Sequence, residues 1–285
     1  MANSRKSKPV TNTSRNKSDR SIIPAPVRII SRLDIKGKNV IKGVHLEGLR
    51  IVGDPADLAA QYYAGGADEM IYMDAVATLY GRNSIFETVQ AAAGQIFIPM
   101  TVGGGIRSLD DIVIALRCGA DKVAINTQAI ISPNFIREAS QTFGTQCITL
   151  SVEAKRREAG RWEALTDNGR ERTGIDVVDW VQRAEALGAG EILLTSVDME
   201  GTQRGFDTEL VRRVREVTSI PVIASGGAGG VEDCLTLVQE SDCDAVALSS
   251  CLHYGASTIA EIKRHFTKAG FSVRPASNST EFETR

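Results

Sequence analysis

Asp34 and Glu153 each close a short apolar run, RIISRLD and ITLSVE, and lie 119 residues apart. Two carboxylates so placed are suited to work as a general acid and a general base. Two glycine-rich turns, Gly103-Gly104-Gly105 and Gly226-Gly227, each follow an apolar run and lie 123 residues apart. Glycine takes positive φ readily and lets backbone N–H groups approach an anion. At the start of a helix such a turn makes a phosphate site. Asn126-Thr127 and Ser249-Ser250, again 123 residues apart, supply further N–H and side-chain groups to the two sites. The pattern fits a ligand with a phosphate at each end. Asp74, Asp198 and Glu200 are suited to bind substrate hydroxyls or to order loops. Lys42 lies in the glycine-containing stretch 36–52, whose length suits a mobile lid over an active site. The three histidines, His45, His253 and His265, have no metal-ligand partner four residues on, and no Ser-His-Asp elbow is present. Neither a metal, a cofactor nor a nucleophile triad is expected.

These residues need a frame that brings them to one place. Eight short β-branched or aliphatic runs are evident, at 28–34, 69–74, 98–102, 122–126, 148–153, 191–198, 222–225 and 245–249. Helical patterns follow most of them, at 54–64, 109–117, 173–187, 208–217 and 231–239. Eight βα units in about 250 residues predict a single (β/α)₈ barrel, with an open doubly wound sheet as the structural alternative. Asp74 and Asp198 add a fourth spacing of 124 residues, and four spacings near half of a barrel of about 250 residues predict two half-barrel repeats. In a barrel the C-terminal strand ends share one mouth, so Asp34 on the first strand and Glu153 on the fifth would face each other between the glycine turns. Arg28, Glu69, Lys122 and Glu191 begin strands one, two, four and six, at the opposite floor. Their alternating signs allow a salt-bridged ring, and ordinary surface charge accounts for them equally on spacing alone.

Composition is that of a folded domain, with 42% hydrophobic and 24% charged residues in 285. The net charge of −2 conceals a division: residues 1–26 carry six Lys/Arg against one Asp, leaving the rest of the chain at −7. No global basic field for nucleic acid is present, and no apolar run approaches the ~18 residues that span a bilayer. The expected organisation is a disordered basic extension at 1–26, a barrel at 27–275 and a disordered tail at 276–285. Five cysteines without C-x-x-C spacing, Cys118, Cys147, Cys234, Cys243 and Cys251, point to reduced thiols and a cytoplasmic protein.

The stretches RIISRLD, GDPADLA, IPMTVGGGI, GADKVAINT, QTFGTQ, GAGEILLTS, GFDTE and PVIASGGAG resemble the cyclase subunit of imidazole glycerol phosphate synthase, from about Val27 to Pro275. The resemblance implies a (β/α)₈ enzyme that uses ammonia from a glutaminase partner in a heterodimer. Its substrate would be a bis-phosphorylated aminoimidazole-carboxamide ribonucleotide, and its products imidazole glycerol phosphate and the carboxamide ribonucleotide. By the same resemblance Asp34 is a catalytic aspartate, Lys42 a loop lysine, and Arg28, Glu69, Lys122 and Glu191 a gate for ammonia at the floor. The chain departs from the family at the mouth. Glu153 stands for an aspartate, Arg32 for a small residue or cysteine, Met199-Glu200 for Arg-Asp and Ala124 for Ser, and MDAVATLYGRNS differs as well. An arginine at 32 would lower the Asp34 pKa and weaken it as an acid. Those departures keep two other readings open: a paralogue passing ammonia to a nucleotide-sugar in surface-polysaccharide synthesis, and a non-catalytic phosphate-binding barrel.

Overall fold

The run Arg28–Lys36 (β1) is buried from its second to its eighth residue, as a strand covered on both faces must be. The computed structural model describes residues 25–77 and 85–276. The extension reading for residues 1–24, the tail reading for 277–285 and part of MDAVATLYGRNS lie outside the described residues; Ala25 and Pro26 are exposed coil.

After β1 the chain folds back as a hairpin of β2 (Asn39–Val44) and β3 (Glu47–Gly53), β2 running antiparallel to β1. The stretch read as a lid loop is therefore a paired hairpin. Gly37 takes the positive φ of the turn between β1 and β2. Then come α1 (Pro55–Ala64), capped by the Asp54 carboxylate, β4 (Glu69–Asp74), α2 (Ile85–Ala93), β5 (Met100–Gly103), α3 (Leu109–Arg117), capped by Ser108, and β6 (Lys122–Ile125). Two helices, α4 (Thr127–Ile131) and α5 (Asn134–Phe143), lead to β7 (Ile148–Glu158).

β7 overruns the expected strand by five residues and opens a second hairpin, β8 (Arg161–Thr166) and β9 (Glu171–Asp176). The helix expected from residue 173 starts only at Val177, as α6 (Val177–Leu187), because the Asp176 carboxylate accepts from the Val178 and Asp179 amides and caps it there. The chain closes with β10 (Glu191–Ser196), α7 (Thr208–Val217), β11 (Val222–Ser225), α8 (Val231–Ser241), β12 (Ala245–Leu248), α9 (Ser250–His253) and α10 (Ile259–Lys268).

Eight of these strands are parallel and close on themselves in the order β1, β4, β5, β6, β7, β10, β11, β12, with β12 pairing back to β1. This is a (β/α)₈ barrel, and each of its halves begins with a strand that continues into an antiparallel hairpin. Between sheet and helices lies the main core, with Leu33, Met70, Val102, Leu150, Trp180 and Phe266 fully buried.

The even residues of β1 trace the bore from floor to mouth. Arg28 joins the charged residues of the floor, and Ile30 packs against Ile71, Leu193, Ile223, Ala245 and Ala247 in an apolar plug. Arg32 crosses the bore to β10 and β11, and Asp34 stands at the mouth. A two-residue period thus carries one strand through four layers of different chemistry.

Candidate active site

Asp34 is held at both carboxylate oxygens by cations. The Arg32 Nε donates to Oδ1 at 2.9 Å and the Lys42 Nζ to Oδ2 at 3.1 Å. Arg32 is 3% exposed, and its Nη1 reaches Thr195 Oγ1 at 2.8 Å and Ser225 Oγ at 3.1 Å on the far strands. Lys42, on β2, also pairs with the buried Glu200. Burial alone would raise the Asp34 pKa, but the charges of Arg32 and then Lys42 outweigh it and hold the carboxyl far below the ordinary range. The pair space of Asp34, Lys42 and Glu200 is about 10 Å³ and also takes in Ile41, Leu46 and Asn168.

Glu153, on β7, has a different setting. No cation pairs with it among the described ion pairs; its Oε2 accepts from Asn126 Nδ2 at 3.0 Å and from the Gly169 amide at 2.7 Å. Burial, only partly offset by Arg32 and the Gly169 hydrogen bond, raises its pKa to about 7. Its carboxyl lines a mouth cavity of about 470 Å³ together with Asp74, Gly104, Gly105, Arg107, Asn126 and Thr127.

The two glycine turns are not equivalent. Gly104 and Gly105 (φ 87° and 77°) border that open cavity, whereas Gly226 and Gly227 (φ 96° and 109°) border a cleft of about 10 Å³ with Glu200, Ser249 and Ser250. Both turns also have a packing reason for glycine. A Cβ on Gly104 would collide with the Asp74 carbonyl, and one on Gly227 with the Gly205 carbonyl. A Cβ on Gly103 would meet Met73 and Ala124. At the matching ends of β6 and β12 a buried side-chain atom has no hydrogen-bond partner among the described residues: Asn126 Oδ1 and Ser249 Oγ.

The remaining candidates divide. Asp74 is buried at the cavity wall, where its carboxylate accepts from the Val76 amide. Thr127 Oγ1 accepts from the Asp167 amide at 3.3 Å. Asp198 pairs with Lys155 at 2.7 Å and accepts from the Arg156 amide, so it anchors the base of the second hairpin. Sequence reasoning assigned Asn126 to phosphate and missed that its amide holds Glu153. It also missed the turn at 167–169, whose Asp-Asn-Gly run is a hairpin signal that points to Gly169. The tip of the first hairpin was unforeseen too. His45 and Leu46 take φ of 53° and 65°, and Leu46 packs on Leu165 and Val197 across the mouth.

At the floor, Arg28 bridges Glu69 (2.6 Å) and Glu191 (2.7 Å), and Lys122 bridges the same two carboxylates (3.0 and 2.9 Å). The four side chains form a closed ring of alternating charge. No group of His, Cys, Asp and Glu able to hold a metal occurs among the described residues, and no helix among them is long and apolar enough to cross a membrane.

The model of a family described as histidine biosynthesis protein matches residues 28–258. The chain is similar to a Legionella pneumophila protein described as imidazole glycerol phosphate synthase subunit HisF, 64% identical over 207 residues, which are 73% of this chain and 98% of the relative. A protein of the same description from Corynebacterium diphtheriae is 50% identical over 258 residues, covering 88% of this chain and all of the relative. A third, from Bifidobacterium longum, is 49% identical over 253 residues, covering 87% and 98%.

Proposed function

The chain belongs to the histidine biosynthesis protein family, and from that membership we propose that it is the cyclase subunit of an imidazole glycerol phosphate synthase. The reaction joins ammonia to a bis-phosphorylated aminoimidazole-carboxamide ribonucleotide and releases imidazole glycerol phosphate, the carboxamide ribonucleotide and one water. The functional unit is the barrel at 27–275, working in the cytoplasm. The observation that carries this reading is the mouth: two carboxylates on opposite strands, a buried lysine beside one of them, and a glycine turn on either side.

Each glycine turn, with Asn126-Thr127 or Ser249-Ser250 beside it, takes one phosphate through backbone N–H groups. The orphaned Ser249 Oγ supports this, because a hydroxyl can donate to a phosphate oxygen; Asn126 Oδ1 only accepts and suits a ligand hydroxyl instead. Asp34, Glu153 and Lys42 serve the chemistry between the phosphates, and Asp74 and Glu200 hold substrate or the groups that touch it. The 10 Å³ cleft at Gly226 must widen to admit its phosphate, which moves the Met199-bearing loop packed over Gly227.

A glutaminase subunit docks at the floor, where a cavity of about 940 Å³ opens beside Arg28, Lys122 and Glu191. The charged ring gates the ammonia that it makes. Complementation of a histidine auxotroph that lacks the cyclase tests the reading: growth on minimal medium supports it, and failure with a soluble, folded product contradicts it. A second reading, a paralogue that hands ammonia to a nucleotide-sugar, is favoured by one observation. Arg32 fills the bore directly beneath Asp34, where the resemblance places a small side chain. That reading expects no complementation but turnover of a nucleotide-sugar acceptor in the presence of the glutaminase.

A further inference from the structure

The two carboxylates at the mouth are prepared in opposite ways. Asp34 has a cation on each oxygen and sits in a space of about 10 Å³. Glu153 accepts only from neutral N–H groups and lines the 470 Å³ cavity where a substrate fits. The difference lies in where the cations sit: Arg32 and Lys42 bond Asp34 directly, whereas Arg32 acts on Glu153 only through space and offsets part of its burial. The Arg32 guanidinium is buried, anchored on three strands by Asp34, Thr195 and Ser225, and has no freedom to leave Asp34 without abandoning two hydroxyls.

We propose that Arg32 is a positioning residue that fixes Asp34 as a permanent anion and leaves Glu153 as the carboxyl that carries the proton in the reaction. This rests on the cyclase reading of the same mouth. Asp34 then acts through its charge, steadying the positive charge that grows on the attacking nitrogen. Glu153 gives its proton to the departing ring-bearing nitrogen as that C–N bond breaks. It recovers one from the ammonia-derived nitrogen once the C–N bond to that carbon has formed, so the carboxyl ends as it began; the ring's other C–N bond forms at the substrate's carbonyl carbon, whose oxygen leaves as water. A carboxyl titrating near neutrality suits both halves of that exchange, and one held far below neutrality suits neither.

The groups that face Asp34 can be named. β1 contributes Arg32, β2 Lys42, the loop after β10 Glu200, and β7 Glu153. α9 contributes His253, whose burial and whose neighbour Lys42 lower its pKa to about 4, so it is neutral in the working range. β4 sets Met73 beside Asp34, with Asp74 one residue on and turned to the Val76 amide. Asp167, from the second hairpin, adds negative charge near Glu153.

The test compares wild type with Arg32→Met, which keeps length and removes charge, and Arg32→Lys, which keeps charge. Carboxyl carbons are labelled with ¹³C in the full chain, and Glu153→Gln and Asp34→Asn assign the signals. In wild type Glu153 titrates near pH 7 and Asp34 is flat from pH 5 to 9. Loss of the arginine charge moves the Glu153 midpoint upward by about one pH unit or more, since an opposite charge nearby shifts a carboxylate by about 1–3 units. Lysine at 32 restores most of the wild-type midpoint. With ammonia as nitrogen donor at constant free NH₃, the alkaline limb of kcat follows the same order. A merely structural arginine would lower kcat and Tm but leave both midpoint and limb in place, and that result overturns the proposal. So does an Asp34 that titrates between pH 5 and 8 in wild type. Where Arg32→Met fails to fold, the wild-type and Arg32→Lys titrations still decide. Absence of turnover in wild type contradicts the cyclase reading instead, and leaves the titrations to judge where the proton sits.

Discussion

At the scale of the residue, the chemistry lies in how burial and charge divide two similar side chains. Glu153 has a folded pKa of about 7 against 4.5 for the free group. The sign follows from linkage. The folded state binds the proton more tightly than the unfolded one, so the stability gained is full below pH 4.5 and is lost as pH rises through 7. Glu153→Gln has no proton to lose and keeps an oxygen for Asn126 and Gly169. Its Tm relative to wild type is expected to climb steadily between pH 5 and pH 8; a difference independent of pH in calorimetry contradicts the raised pKa. Asp34 gives the converse case. Asp34→Asn leaves Arg32 and Lys42 buried with less counter-charge, a loss of about 3–5 kcal/mol for a broken buried pair. In a urea-unfolding cycle with Arg32→Met the double variant should recover about 1–3 kcal/mol of it. Strictly additive losses would show that the two side chains do not interact. Sequence spacing made both carboxylates visible, because strand ends are local signals, and the resemblance to the family singled out Arg32. That the Asn126 side-chain amide also holds Glu153 depended on a contact across 27 residues that no local pattern reports.

At the scale of the element, the hairpins that follow β1 and β7 decide what reaches the mouth. The first carries Lys42 inward and lays Leu46 against Leu165 of the second hairpin and Val197 after β10. Leu46→Ala removes most of that small cluster. We expect a cost of about 2 kcal/mol, confined to the hairpin. Hydrogen exchange of amides 39–53 should quicken while those of β4 and β10 stay protected; uniform quickening would show the hairpin to be part of the global unit. Gly104→Ala is expected to destabilise by about 1–3 kcal/mol as well as to weaken phosphate binding, since φ is 87° and the Asp74 carbonyl blocks a Cβ. Undiminished thermal stability would contradict that. The eight parallel strands were legible because buried βα units repeat a strong apolar period. The hairpins were not: IKGVHLEGLRIV reads as a loop until β1 is there to pair with it, and Thr173 and Gly174 sit in a run that looks helical until Asp176 caps α6.

At the scale of the whole molecule, the barrel separates a ring of ion pairs at the floor from the two carboxylates at the mouth, with an apolar plug between them. The floor ring depends on each glutamate serving two cations. Glu191→Gln is expected to lower glutamine-driven turnover with the glutaminase by about tenfold, about 1.4 kcal/mol of transition-state stabilisation. Turnover on added ammonium should hold; equal loss in both assays would contradict a role for the ring in the transfer of ammonia. The half-barrel repeat was legible in four spacings, whereas the inequality of the two halves was not. It arises where Arg32 faces Ser225 and the loop with Met199 closes over Gly227, packing that depends on the closed barrel. The central claim is that this mouth closes an imidazole ring with ammonia. The purified chain, without partner, is incubated with the bis-phosphorylated aminoimidazole-carboxamide ribonucleotide and ammonium at pH 8, and products are followed by NMR. The account predicts imidazole glycerol phosphate and the carboxamide ribonucleotide in equal amounts, abolished by Glu153→Gln. Substrate that binds yet stays unchanged at saturating ammonium would contradict it.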